Sequence, residues 1–590
     1  MYITMKYSRK SKVESRKTLL SLSVSVLLSL SLLAGGLSSC SWIAEDESLL
    51  QTPTTVGDSE EACAQWVTGV YSKWIYDIFC WGYFPRVLEF DADYISGPSW
   101  AFGKFGVGNF QGESDVTDAL WKGCYGLIGR TNEAARHISA MQNITDAQRN
   151  NALGELAFHR AFAYFLLVRA YGPVPIQPET ENFDRNQPRQ EVTKVYDYII
   201  AQLEEATRLL YKNTDPAYHL GHVSAGSAAG LLAKVYATEA AYAMPSGTEI
   251  IVRTGTAYTT SNGSKSYAPL QTRSFYKSAV PGYESLDPRQ LYQQAADWAE
   301  AVLDGTYGAY DLLDYNRLWT RAAATESEFL FSIGTVSGDA KYKVMVHSWY
   351  EGYVMADNTD FIQSGQWVGC TRHWYDLFDH DDYRITKGVK HRWRQAYQRE
   401  NNEGFYYPYT PEYQQMAEVD HSGIYADGVN YRYSMSDECL AFTTKYIDVT
   451  NPATDNADAN WPFLRLADVI LVYAEALNEL DKPGDAIIQL NKIRERANAD
   501  RASMGGSKAL SSKELRRSAI IEERAKELAC EADRRWDLIR WGIYLDAMNA
   551  VGLDDCGVSK TRTERNLLFP IPQQELNTNA AITANNPGWQ

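Results

Sequence analysis

Cysteine is scarce, 8 in 590 residues, and no C-x-x-C or Cys/His pair stands at zinc-ligand spacing. That excludes a zinc-ribbon or disulfide-knit scaffold and leaves most of the thiols as small core side chains. Histidine is almost as rare, 9 in all, and His219 and His222 have no third ligand nearby. Basic charge is also short: 57 Lys and Arg face 74 Asp and Glu, for a net charge of −17. Six of those cations (Lys6, Arg9, Lys10, Lys12, Arg16 and Lys17) are crowded at the N-terminus, so the remainder is more acidic still. Such a body repels the phosphates of nucleic acid and an anionic membrane surface. No strict repeat period is present, which limits any solenoid to a degenerate one.

Catalytic motifs are missing too. Gly552 and Gly557 have P-loop spacing, but Val558 stands where a lysine must meet the phosphates. Ser224 lies in His222-Val223-Ser224-Ala225-Gly226, where His222 replaces the first glycine of a nucleophile elbow. Asn456, Asp458 and Asn460 begin like a calcium loop, yet Trp461 replaces the turn glycine and Ala467 the bidentate acid. Asp468 and Glu475 share a helix face, but seven residues rise about 10.5 Å, against about 5–5.5 Å for a retaining glycosidase pair. They read as buried ion-pair partners. The sequence predicts no catalytic residue, no metal site and no cofactor.

What is present begins with a basic stretch and an apolar run over residues 18–37, ending in Leu37-Ser38-Ser39-Cys40. This resembles a lipobox, which implies cleavage of residues 1–39 and lipid attachment at Cys40. The alternative is an uncleaved anchor, since about 20 apolar residues span a bilayer; the Ser, Ala and Gly residues and the closing Cys fit cleavage better. Acidic Glu45-Asp46-Glu47 follow in a tether over residues 40–59. Apolar residues at three- and four-residue steps predict helices over residues 60–78, 115–140, 146–171, 194–211, 224–243, 291–303, 467–480 and 484–497. Residues 518–542 read as one long amphipathic helix, with Ile521, Ala525, Leu528, Ala532, Trp536 and Ile539 as the apolar stripe. Its other faces are charged, with Glu522/Lys526 and Glu531/Arg535 at ion-pair spacing and Gly542 as the stop.

Three segments read as loops: residues 80–112, neither helical nor alternating, with Trp, Tyr and Phe among glycines; residues 245–288, rich in Ser, Thr, Gly and Tyr; and residues 341–446, rich in Trp and Tyr with few predictable elements. Long ordered loops in compact domains are usually functional. A sugar ring presents C–H faces and a rim of hydroxyls, so a sugar site needs flat aromatic faces flanked by polar side chains. Trp81, Trp100, Asn109, Trp349 and Trp367 are the candidates for ligand binding.

The order E-R-x-x-E-L-A-x-E-x-x-R-x-x-D-L-x-R-W-G at residues 523–542 resembles the signature helix of the SusD/RagB family of outer-membrane nutrient-binding lipoproteins. So do W-x-x-x-Y-x-x-I-x-R-x-N at 121–132, AFHRAFAYFLLVRAYGPVPI at 157–176, FLRLADVILVYAEALNEL at 463–480 and the closing FPIPQQELNTNAAITANNPGW at 569–589. The resemblance implies a mainly all-α fold of tetratricopeptide-like helical hairpins in a superhelical scaffold, with loop-rich insertions. It implies an N-terminal helical region over residues 60–335 and a C-terminal region over residues 336–590. It further implies a lipid-anchored protein facing the cell exterior, which binds a nutrient, most often an oligosaccharide or polysaccharide. The ligand passes to a SusC-like TonB-dependent outer-membrane transporter, with no bond made or broken. The alternatives are a surface glycoside hydrolase, a transporter partner without a glycan site of its own, and a peptide ligand.

Overall fold

The structure is a computed structural model that describes residues 57–79, 83–179, 185–262, 264–337, 344–354, 363–395, 398, 401–408, 429–433, 440–506 and 508–590. Cys40, the acidic tether and Trp81 lie outside the described residues. The chain divides into Met1–Ala62 and Cys63–Gln590, and of the first unit only residues 57–62 are described.

The main helices are α1 (Glu60–Lys73), α2 (Ser114–Ala140), α3 (Asp146–Tyr171), α4 (Val192–Leu209), α5 (Ala225–Ala243), α6 (Pro288–Leu303), α7 (Leu466–Glu479), α8 (Pro483–Arg496), α9 (Lys513–Glu527), α10 (Arg534–Arg540), α11 (Tyr544–Val551) and α12 (Gln573–Thr578). From α2 to α8 each helix packs on the next, and α9 packs on α7. The result is the mainly α scaffold of hairpins that the sequence predicts, about 49% helical.

Local chemistry sets the boundaries. At the start of α3, Thr145 Oγ1 accepts from the Gln148 N–H, and Gln148 Oε1 accepts from the Thr145 N–H. Two otherwise orphaned donors are thereby satisfied. The same helix stops at Gly172, whose φ of +70° suits glycine, with Pro173 beyond it. Asp287 caps α6 with Pro288 at its first position. Small residues let α5 be buried along nearly its whole length; a Cβ at Gly230 would lie 2.5 Å from Leu330 Cδ2.

Strands are few. β1 (Ile95–Ser96), β2 (Glu249–Thr254), β3 (Gln271–Tyr276), β4 (Phe329–Ile333), β5 (Gly369–Cys370) and β6 (Trp461–Arg465) make three antiparallel pairs, β1 with β5, β2 with β3 and β4 with β6. The last pair stacks Phe331 on Phe463, ring centroids 5.5 Å apart, against Trp74 and Phe162. Those rings knit the two ends of the sequence into one core.

The single helix expected over residues 518–542 is two helices. Between α9 and α10, Cys530 and Ala532 take φ of +61° and +65°. The freed backbone groups are captured from outside: Lys445 Nζ donates to the Glu527 and Ala529 carbonyls, Tyr446 Oη donates to the Cys530 carbonyl, and Glu89 accepts from the Ala532 N–H. A helix can break wherever its orphaned groups find such partners. Glu522 and Lys526 do pair, at 2.9 Å. The expected Glu531/Arg535 pair is replaced by others, because Arg465 and Lys445 take Glu531 while Arg535 reaches Asp91.

Nor is the charged face solvated. Arg465 is buried among Glu328, Glu527 and Glu531 at 2.7, 3.1 and 2.8 Å. Arg524 joins Asp468 and Asp537, and Arg540 holds Glu475. Burial works against charge on Glu527, but the guanidinium groups of Arg496, Arg465 and Arg384 outweigh it and hold its carboxyl down at about 2.

Candidate functional site

The loop between α1 and α2 is not featureless. It contains the turns Tyr83–Leu88 and Ser99–Phe102, strand β1, and two 3-10 turns, Phe105–Val107 and Phe110–Glu113. Its hydrophobic residues point inward: Phe90 stacks on Phe102 at 3.8 Å, and Phe105 and Phe110 pack on Phe569. Trp100, on the Ser99–Phe102 turn, is left 65% exposed.

Pairing of β1 with β5 brings residues 364–370 beside this turn. The Trp367 and Val368 N–H groups both donate to the Trp349 carbonyl, at 2.7 and 2.9 Å. The three tryptophans therefore form a ladder. Trp100 meets Trp367 edge to face at 5.0 Å, and Trp367 meets Trp349 in the same way at 5.1 Å. Exposure falls along it, from Trp100 through half-buried Trp367 to Trp349 at 7%. Trp349 in turn touches Phe90. Edge-to-face contacts of this kind add about 0.5–1.5 kcal/mol beyond burial and fix ring orientation.

Gly97 is what allows the approach. A Cβ there would lie 2.1 Å from the Trp367 carbonyl oxygen and 2.3 Å from the Phe102 ring.

Buried charge pins the loop in place. Arg534 forks onto both oxygens of Asp93 at 2.8 Å, Arg535 and Arg562 converge on Asp91, and Lys560 Nζ donates to the Ile95 and Phe90 carbonyls. Ser96 Oγ donates to Asp554 at 2.7 Å. Burial pushes the Glu89 carboxyl up to about 8, only partly offset by the Ala532 N–H, and burial pulls the Lys560 ammonium down to about 8. Asp91 and Asp93, which the sequence places among the loop's polar residues, are thus turned into the interior and committed to arginines. Exposed polar groups on the loop are Ser99, Lys104, Asn109 and Gln111; the Asn109 N–H donates to the Lys104 carbonyl at 3.0 Å.

Of the residues singled out in the sequence, Trp100, Trp349 and Trp367 come together, Asn109 lies on the same loop as Trp100, and Trp81 is outside the described residues. Trp349 has no free ring face and serves as the base on which Trp367 stands. Gly97 and the arginines that hold the loop were not singled out. A signal for the latter exists in the alternation of Glu89, Asp91 and Asp93, three acids at every second position with one basic residue, Arg86, close in sequence.

His222 Nδ1 lies 2.8 Å from Glu155, and no group of three or more ligating side chains is found among the described residues. Cys63, Cys124, Cys370, Cys530 and Cys556 are buried. No described helix is long and apolar enough to cross a membrane.

Fold and site together define a helical-hairpin scaffold that displays a rigid aromatic loop. A family model described as "SusD family" matches residues 307–589, and one described as "Starch-binding associating with outer membrane" matches residues 45–237. The chain is 26% identical to SusD-like protein P2 of Formosa agariphila over 497 residues, 82% of this chain and 83% of that protein. A SusD homolog from Bacteroides thetaiotaomicron superposes with a TM-score of 0.69 at 21% identity, covering 92% of this chain and all of that one. Surface glycan-binding protein A from the same organism superposes at 0.62 with 18% identity, over 90% and 99% of the two chains. The chain belongs to the SusD-like family.

Proposed function

We propose that this protein is an outer-membrane lipoprotein, anchored through Cys40, that binds an oligosaccharide or polysaccharide at the cell exterior and delivers it to a SusC-like TonB-dependent transporter. The ladder supports this reading above all: an exposed indole set edge-on to a second, half-buried indole, on a loop whose backbone is clamped by buried ion pairs. A flat apolar face held rigidly loses little conformational entropy when a sugar ring settles on it. Trp100 and Trp367 supply the faces, Trp349 orients Trp367, and Ser99, Lys104 and Asn109 supply rim groups for hydroxyls. That one matching family is described as starch-binding and one structural neighbour as a glycan-binding protein favours a glycan over a peptide. Binding and release are the whole of the mechanism.

Calorimetric titration of the full-length protein in detergent against malto-, xylo-, manno- and fructo-oligosaccharides tests the ligand. Trp100→Ala is expected to weaken binding by more than about 1 kcal/mol while leaving the melting temperature unchanged, since its ring is exposed. Release of reducing ends during the titration would overturn the binding-only reading. Cys40→Ser is expected to abolish incorporation of labelled palmitate and to shift the protein out of the membrane fraction.

A further inference from the structure

A cleft of about 520 Å³ lies apart from the tryptophan ladder, sharing none of its residues. Its volume falls within the roughly 300–1,000 Å³ typical of small-molecule sites. One wall is a face of α2, where Trp121, Tyr125 and Gly129 recur at four-residue steps. The second is the segment after α3, and the third is α12 with its Glu575. The walls are fixed to one another: Tyr125 Oη donates to the Pro175 carbonyl at 2.7 Å, and Asn579 and Ala580, just past α12, bond to Gln187 and Asn186.

Two observations make this a built site. The Trp121 and Tyr125 rings lie 4.9 Å apart, and with Trp121 buried beneath it the half-buried Tyr125 ring forms the aromatic floor. Gln177 lines the cleft at 5% exposure, and its Oε1 has no hydrogen-bond partner. A buried amide end left unmatched is a desolvation cost that a ligand group removes. A hydroxyl answers whichever end of the amide faces it, because it both donates and accepts. At the rim, Lys122 and Arg185 stand against Glu575, so neither an anion nor a cation is singled out. A neutral ligand bearing many hydroxyls and one apolar face satisfies all of these groups.

We infer that this cleft is a second glycan subsite, which takes one or two neutral sugar units on Tyr125 with a hydroxyl on Gln177. Its ligand class rests on the glycan-binding reading; its location does not depend on the ladder. A chain of sugars held at two places dissociates more slowly than one held at either, through the raised effective concentration at the second site.

The test uses full-length protein and the same four oligosaccharide series. Gly129→Leu fills the cleft, since a Cβ there meets nothing within 4 Å, and Gln177→Leu removes the amide. Trp100→Ala with Trp367→Leu disables the ladder. The expected result is that the ladder variant keeps one binding event, which Gly129→Leu and Gln177→Leu each weaken at least about tenfold. If Gly129→Leu lowers the melting temperature, the Gln177→Leu result decides. Loss of all binding in the ladder variant overturns the second subsite and leaves the ladder standing. Residual binding indifferent to both cleft variants also overturns it. Binding untouched in the ladder variant but lost in the cleft variants upholds the cleft and removes the ladder. No binding of any series by the unaltered protein overturns both.

Discussion

At Gly97 a hydrogen atom decides whether two distant loops can touch. Replacing it with alanine drives a methyl group into the Trp367 carbonyl and the Phe102 ring. Gly97→Ala is expected to cost about 1–3 kcal/mol in a urea titration and to change Trp100 fluorescence, as overpacking forces the turn outward. Trp349→Ala is expected to cost more, about 3–5 kcal/mol, because it opens a cavity beneath Trp367. Glu89 makes a prediction about acidity. Its folded carboxyl titrates near 8 against an ordinary 4.5, so the folded state holds a proton that the unfolded chain gives up within that window. This contribution to stability is fully present below about pH 4.5 and is lost as the pH rises to about 8. Glu89→Gln keeps an acceptor for the Ala532 N–H without the titration, so its urea midpoint should fall less between pH 4.5 and pH 8 than that of the unaltered protein. A parallel fall would show that Glu89 is not the group responsible. At this scale the sequence was partly legible. Trp100 and Trp367 stand out as aromatics amid glycines, but nothing in their neighbourhood reveals that one stays in water and the other does not. Exposure is set by residues far along the chain.

Among the elements, helices were easiest to foresee and the break between α9 and α10 hardest. Apolar steps of three and four run through residues 518–542 without a flaw, so local pattern argues for one helix. What divides it are partners from elsewhere: Glu89 from the site loop, and Lys445 and Tyr446 from the segment before β6. Tyr446→Phe is expected to cost about 0.5–1.5 kcal/mol through the loss of one buried hydrogen bond. Burial of the charged faces is hard to read locally for the same reason. Glu and Arg at helical spacing usually mark a wet surface, whereas here they meet carboxylates and guanidiniums of other helices in the interior. Arg465→Met is expected to destabilise by about 3–5 kcal/mol, because three carboxylates lose a shared cation. Measured folding free energy of the variant checks this, and a cost below about 1 kcal/mol would show that Arg496 and Lys445 take over. The cleft went unread because Trp121 and Tyr125 sit at spacings that ordinary helix packing explains equally well.

For the whole molecule, the first and last parts of the described chain depend on each other. Arg562 donates to the Gly106 carbonyl, Asn566 to the Gly108 carbonyl, and Phe569 and Trp589 pack on Phe110. Asn586 ties the same tail to Tyr171 at the end of α3. The loop that presents Trp100 is therefore finished only by residues 456 and 458 positions further along the chain. During synthesis and export, domains tend to fold from the N-terminus as they emerge, but this loop has to wait. A chain interrupted before residue 534 has every tryptophan of the ladder and none of the arginines that clamp its loop. Such a fragment lacks the ion pairs that fix the loop even if its first hairpins have formed. The order of the sequence thus acts as a completeness check, in which the aim of Trp100 is set only once the downstream helices have been made.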